Sequence, residues 1–141
     1  INGSVSGSTS AGGLNIADWT LSENNIDLMI LCLGANDMLR GINPKETKNN
    51  LEEIVQIAKN RNIKIIIAGM IAPTSYGSEY KESFDKIFFN LSKEYNLQLI
   101  PFLLEGVAQK PEFNLSDGMH PNDQGTIIIG NTLKKAILKN L

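Results

Sequence analysis

Histidine occurs once in the 141 residues, at His120, and Asp117 precedes it by three positions. A carboxylate at that spacing can accept a hydrogen bond from imidazole Nδ1. Such a bond fixes the tautomer and stabilises the imidazolium that forms during proton transfer. Nε2 is then free to act as a base toward a hydroxyl, and Gly118 between them lets the backbone turn. By itself Asp-x-x-His also fits a metal half-site or a hydrogen-bonded turn. The chain offers no second His and no pair of Cys, which argues against zinc.

A second group of residues points to stabilisation of negative charge. Gly34-Ala35-Asn36-Asp37 combines a glycine, which allows close backbone approach, with an amide that supplies a side-chain N–H. Gly7, in Ser6-Gly7-Ser8-Thr9-Ser10, can supply a backbone N–H from another loop. A tetrahedral oxyanion needs two or three such fixed donors in a water-poor pocket. Taken one at a time, Asn36 also reads as a helix-capping or turn residue and Gly7 as a turn glycine.

These residues need a scaffold that brings loops together. Asp27 to Leu33 is a short continuous apolar run bounded by Asn24-Asn25 and Gly34, the pattern of a strand buried on both faces. Residues 63 to 70 form a second such run and residues 97 to 102 a third. Residues 1 to 5 are expected to close a fourth strand, cut off at its start. Between them the spacing predicts helices. Asn43-Pro44-Lys45-Glu46 is a start signal, with Asn as cap, Pro at the first position and Glu at the third. Leu51, Ile54, Val55 and Ala58 continue it to about Asn60 at helical spacing. A second helix spans Ser78 to Tyr95, with Phe84, Ile87, Phe88, Leu91 and Tyr95 on one face. Residues 11 to 22 make a short helix, and a last one runs from near Pro121 to near Leu141.

Alternating strands and helices imply an α/β domain with a parallel sheet and helices on both faces. Ligands in such sheets bind outside the carboxyl ends of the strands. Gly7, Gly34-Asn36, Ile71-Tyr76 and Asp117-His120 all follow strand-like runs.

Composition narrows the partners. Net charge is −2 with acids and bases interspersed, so nothing argues for nucleic acid or an anionic membrane. No apolar run reaches the length of a bilayer span. The single cysteine, Cys32, excludes an intrachain disulfide and reads as a small buried core residue. Neither an initiator Met nor a signal peptide is visible at Ile1.

In combination, Gly7, Gly34-x-Asn36-Asp37 and Asp117-x-x-His120-Pro121 resemble three of the four blocks of the SGNH hydrolases, also called the GDSL family. The resemblance covers essentially the whole chain. It extends to Leu39-Arg40-Gly41, Tyr76-Gly77, Tyr80, Pro101-Phe102, Lys110-Pro111 and Asn122, in the manner of the bacterial thioesterase I, lysophospholipase and arylesterase group. It implies a three-layer α/β/α fold with a flavodoxin-like parallel sheet. Gly7 and Asn36 take the place of oxyanion donors, Asp117 that of the orienting acid and His120 that of the general base. Met38, Leu39, Ile42, Ile71, Pro73 and Tyr76 are candidates to line an acyl pocket, with ordinary packing as the alternative. The implied substrates are small acyl esters, acyl thioesters or lysophospholipids, cleaved through an acyl-enzyme. No metal or organic cofactor is implied, the oligomeric state is open, and the family suggests a periplasmic or secreted location.

One block does not map. The family's nucleophile lies in Gly-Asp-Ser just after the first strand, and no Gly-Asp-Ser occurs here. Ser6, Ser8 and Ser10 read as ordinary loop residues of a Ser/Thr/Gly-rich turn. Residues 1–141 are therefore expected to be a single, N-terminally truncated domain that lacks the first, central strand. A strand with its crossover helix takes on the order of 30 residues. Alternatives are a carbohydrate O-acetyl esterase with the same blocks, or a binding domain that has lost the serine. A nucleotide-binding module is disfavoured, because no glycine-rich phosphate loop is present.

Overall fold

The computed structural model describes residues 1–139; Leu141, near which the last helix is expected to end, lies outside the described residues. The chain divides into two compact units, Ile1–Pro101 and Phe102–Leu141.

The first unit holds three parallel strands in the order of the sequence. They are β1 (Leu28–Leu31), β2 (Lys64–Ala68) and β3 (Gln98–Ile100). β1 pairs with β2 through Leu28–Lys64 to Leu31–Ile67, and β2 with β3 through Ile66–Gln98 to Ala68–Ile100. Helix α1 (Ser10–Thr20) precedes β1, and the short α2 (Ala35–Leu39) follows it directly. The crossovers are α3 (Pro44–Asn60) and α4 (Ser78–Tyr95). Both connections advance in one direction, so right-handed crossovers place α3 and α4 on the same face, where they touch each other. α1 packs against α3.

The local reasons are those of the sequence. Asn43 caps α3 by accepting from the Lys45 N–H, and Pro44 opens the helix. The apolar stripe Leu51, Ile54, Val55 and Ala58 is buried, as are Phe84, Ile87, Phe88 and Leu91 of α4. Ile65, Ile66, Ile67 and Ala68 of the central β2 are buried on both faces, as a continuous apolar run requires. α4 ends at Asn96, whose left-handed backbone (φ 52°) is tolerated by Asn.

Three expectations are corrected. Residues 1 to 5 form no strand; Ile1 to Gly7 is exposed, non-repetitive chain that ends in a turn closed by the Ser8 N–H on the Val5 carbonyl. A short strand needs a neighbour to pair with, and none of the three strands pairs with this segment. β1 is not buried on both faces: Leu28, Met29 and Ile30 are half-buried, because β1 is the end strand and has β2 alone as partner among the described residues. Cys32, just past β1, is exposed, not core. Desolvation still pushes the thiol pKa up, which disfavours the thiolate form.

The second unit is mostly turns up to a 3₁₀ turn at Pro111–Phe113, followed by α5 (Asp123–Leu138). α5 starts two residues later than the expected Pro121. Asn122 is the cap, accepting from the Gly125 N–H, while Pro121 forms an isolated antiparallel bridge with Asn114.

Candidate active site

The chemistry-bearing residues fall into two sets, one in each unit. In the first unit, the chain leaves β1, bends at Gly34 (φ 112°) and enters α2, which carries Asn36, Asp37 and, at its end, Arg40. In the other segment, Val5 to Ser8 makes a four-residue turn. Gly7 has φ 73° there while Ser6 is not left-handed, the pattern of a type II turn, whose third position favours glycine. The central N–H of such a turn points outward, and among the described residues nothing accepts the Gly7 N–H.

Three side chains tie these segments together. Asn36 Nδ2 donates to the Ser8 carbonyl at 3.1 Å. Arg40 Nη2 donates to the Gly7 carbonyl at 2.9 Å. Asp37, fully buried, accepts from the Ser10 N–H at 2.7 Å and from the Ser10 hydroxyl, and Thr47 Oγ1 donates to it at 3.2 Å. An amide nitrogen carries two hydrogens, so the Ser8 bond leaves Asn36 one N–H in the neighbourhood of the Gly7 loop. The structure thus brings Gly7 and Asn36 together, which their 29-residue separation does not reveal.

The same contacts dispose of one local nucleophile. Ser10 is buried, its hydroxyl bonded to Asp37 while it accepts from Asn50 Nδ2 at 3.0 Å. Ser8 Oγ donates to the Thr9 carbonyl at 3.3 Å.

In the second unit, a loop closed at its base by the Asn114–Pro121 bridge carries Asp117 and His120. The Leu115 N–H donates to the His120 carbonyl at 2.7 Å. Buried Asn114 anchors the base by donating from Nδ2 to the Val107 and Lys110 carbonyls, each at 2.8 Å. Gly118 turns the chain with φ 68°. Asp117 Oδ1 accepts the N–H groups of Met119 at 2.8 Å and His120 at 2.9 Å, and Oδ2 lies 2.7 Å from His120 Nδ1. The His120 backbone N–H, then its ring, then the Met119 N–H hold the Asp117 pKa down at about 2. An ionised carboxylate only accepts, so the shared proton sits on Nδ1. The neutral ring then carries its lone pair at Nε2, which no described residue engages.

The candidate acyl-contact residues are not core. Leu39, Ile71, Pro73 and Tyr76 are exposed, and Met38 and Ile42 half-buried. Tyr76 stacks on Tyr80, whose hydroxyl donates to the Ile42 carbonyl at 2.9 Å. A shallow concavity lined by Leu21, Asn24, Ile26, Arg61 and Ile63 lies at the amino end of β1, away from Gly34, and its Arg61 is engaged by Asp18.

Asp37 and Arg40 figure in the family resemblance without a role of their own, and Asn114 does not figure in it. Arg40 and Asp37 sit within three residues of Asn36, but only the folded chain shows what they grip.

Residues 1–126 match the model of the GDSL-like lipase/acylhydrolase family. An arylesterase of Vibrio mimicus is 35% identical over 141 residues, which are all of this chain and 70% of that protein. The thioesterase 1/protease 1/lysophospholipase L1 of Escherichia coli K12 is 34% identical over 97% of this chain and 66% of its own length. The crystal structure of TesA superposes with a TM-score of 0.93 at 32% identity, covering 100% of this chain and 78% of that one. The chain thus spans about two thirds of the curated relatives' length, and the fold is the three-layer α/β/α fold of the SGNH hydrolases. By its matched residues and by its fold, this chain belongs to the GDSL-like lipase/acylhydrolase family.

Proposed function

We propose that the full-length protein hydrolyses carboxylic esters and thioesters through a serine acyl-enzyme, with His120 as general base, Asp117 as its orienting acid, and Gly7 and Asn36 as oxyanion donors. The observation that carries this reading is the Asp117–His120 pair, 2.7 Å apart, with the carboxylate held ionised and Nε2 left open. The relatives' names, arylesterase and thioesterase/lysophospholipase, support the substrate class.

The attacking serine is proposed to come from sequence outside residues 1–141, since no Gly-Asp-Ser occurs within them and Ser10 is committed to Asp37. In the first step His120 Nε2 takes the hydroxyl proton as the serine attacks the carbonyl. The oxyanion draws its hydrogen bonds from the Gly7 N–H and Asn36 Nδ2, and collapse expels the alcohol or thiol. Water, activated by the same histidine, then releases the acid. Leu39, Ile71, Pro73 and Tyr76, exposed apolar groups, are proposed to meet the acyl chain together with Met38 and Ile42. A periplasmic or secreted location belongs to the same proposal.

The test is a p-nitrophenyl ester series from acetate to palmitate, with acyl-thioesters in parallel, on the full-length protein. Activity that holds or rises at medium and long chains is the expected result. Activity on acetyl groups alone points to an O-acetyl esterase instead. A protein that hydrolyses none of them and is not labelled by a fluorophosphonate would sink the reading.

A further inference from the structure

The two oxyanion donors sit on separate segments, so the spacing between them is set by whatever fastens one segment to the other. Three fasteners are visible, and they differ in kind. Asp37 binds the Ser10 N–H and hydroxyl in the interior and secures the start of α1. Asn36 reaches Ser8 with the amide that is itself one of the donors. The third is Arg40, which crosses from the end of α2 to the carbonyl of Gly7 at 2.9 Å.

Arg40 differs from the other two in grasping the donor residue itself. The Gly7 N–H belongs to the outward-facing Ser6–Gly7 peptide of the turn, which the Ser8-to-Val5 bond closes. The next peptide carries both that Ser8 N–H and the Gly7 carbonyl, which Arg40 holds, so Arg40 fixes the plane that follows the donor. The segment before this turn is exposed and pairs with none of the three described strands. A charged donor on that carbonyl is stronger than a neutral one, and the planar guanidinium holds its direction better than an ammonium would.

We propose that Arg40 is a positioning residue for the reaction: through the Gly7 carbonyl it keeps the Gly7 N–H in register with the Asn36 amide, so that both donors meet one oxyanion. This rests on reading Gly7 and Asn36 as oxyanion donors. It adds a residue that touches neither the substrate nor the acid–base pair. The oxyanion exists only after attack, so loss of register weakens the transition state and leaves ground-state binding alone.

The experiment uses the full-length protein with R40A and R40K, assayed on p-nitrophenyl butyrate. A misplaced donor is expected to cost about tenfold in kcat for R40A, below the loss from deleting a donor outright, with KM changed by no more than about twofold. The pH dependence is unchanged, because His120 and Asp117 are untouched. R40K recovers part of the rate, and guanidinium ion added to R40A recovers part as well. A role in folding alone would lower the melting temperature and would not answer to guanidinium. An R40A enzyme with the parent's kcat, or one that loses KM and kcat together, overturns the proposal.

Amide resonances separate its failure from failure of the hydrolase reading. If the parent hydrolyses no ester, the hydrolase reading falls, and the Gly7 and Ser8 signals decide the clasp. Their movement and faster hydrogen exchange in R40A support it, and unchanged signals and exchange overturn it.

Discussion

Asp117 accepts two backbone N–H groups through one oxygen and the His120 ring through the other. This division of labour makes Asp117→Asn a clean experiment. The amide oxygen can still accept from Met119 and His120, so the loop keeps its shape, but an NH₂ then faces Nδ1 and forces the wrong tautomer. In the full-length enzyme the expected loss in kcat is about ten-thousand-fold with folding intact, and His120→Ala is expected to lose as much. The pH behaviour follows from the lowered pKa. A carboxyl depressed from 3.8 to about 2 contributes loop stability that is fully present above 3.8 and disappears as the pH falls through 2. An acid limb of activity above pH 4 therefore belongs to another group. A carboxyl carbon titration of Asp117 with its midpoint near 4 would contradict this. Asp117-x-x-His120 was legible in the sequence because a three-residue spacing with a glycine suffices to close the contact locally. The pairing of Gly7 with Asn36 was legible only through family resemblance, since no local rule links residues so far apart.

At the scale of elements, α1 and α2 are fastened by the buried Asp37 carboxyl, which has no cationic partner among the described residues. Asp37 satisfies the Ser10 N–H and hydroxyl and takes a bond from Thr47. Removing it leaves buried donors unpaired, at about 1–3 kcal/mol for each group. Asp37→Ala is therefore expected to destabilise the protein by several such units, and Asp37→Asn by less, because an amide oxygen still serves the N–H and the Ser10 hydroxyl can turn to accept from the NH₂. Urea unfolding gives the ranking, and Asn no better than Ala would contradict it. In α4, Phe84 is fully buried between the rings of Tyr80 and Phe88. Phe84→Ala is expected to cost about 3–5 kcal/mol. The helices were legible because their caps and stripes are local: Asn43-Pro44 starts α3 and Ser78 starts α4 as the pattern predicts. The strand ends were not, since hydrogen bonding to a neighbour, rather than apolar sequence, decides where a strand stops.

For the whole molecule, the sheet's most consequential feature is the outer edge of β1. The run Leu28-Met29-Ile30-Leu31 has the composition of an interior strand, yet three of its residues are half-buried and no described strand lies beyond it. Open apolar edges recruit other chains. Residues 1–141 expressed alone are therefore expected to self-associate and to show no esterase activity. Monomeric scattering across a concentration series, or measurable hydrolysis, would contradict this. The apolar pattern of these residues is that of a strand buried on both sides. What the pattern cannot show is which neighbours are in place.

The loop between Asn114 and Pro121 closes on itself, and every bond between the acid and the base lies inside it. The dyad is thus a self-contained cartridge. A proton held on Nδ1 against Asp117 at 2.7 Å is expected to give a low-field magnetic resonance line in this chain whether or not a serine is present. The signal would report the Asp117–His120 pairing before any ester has been turned over.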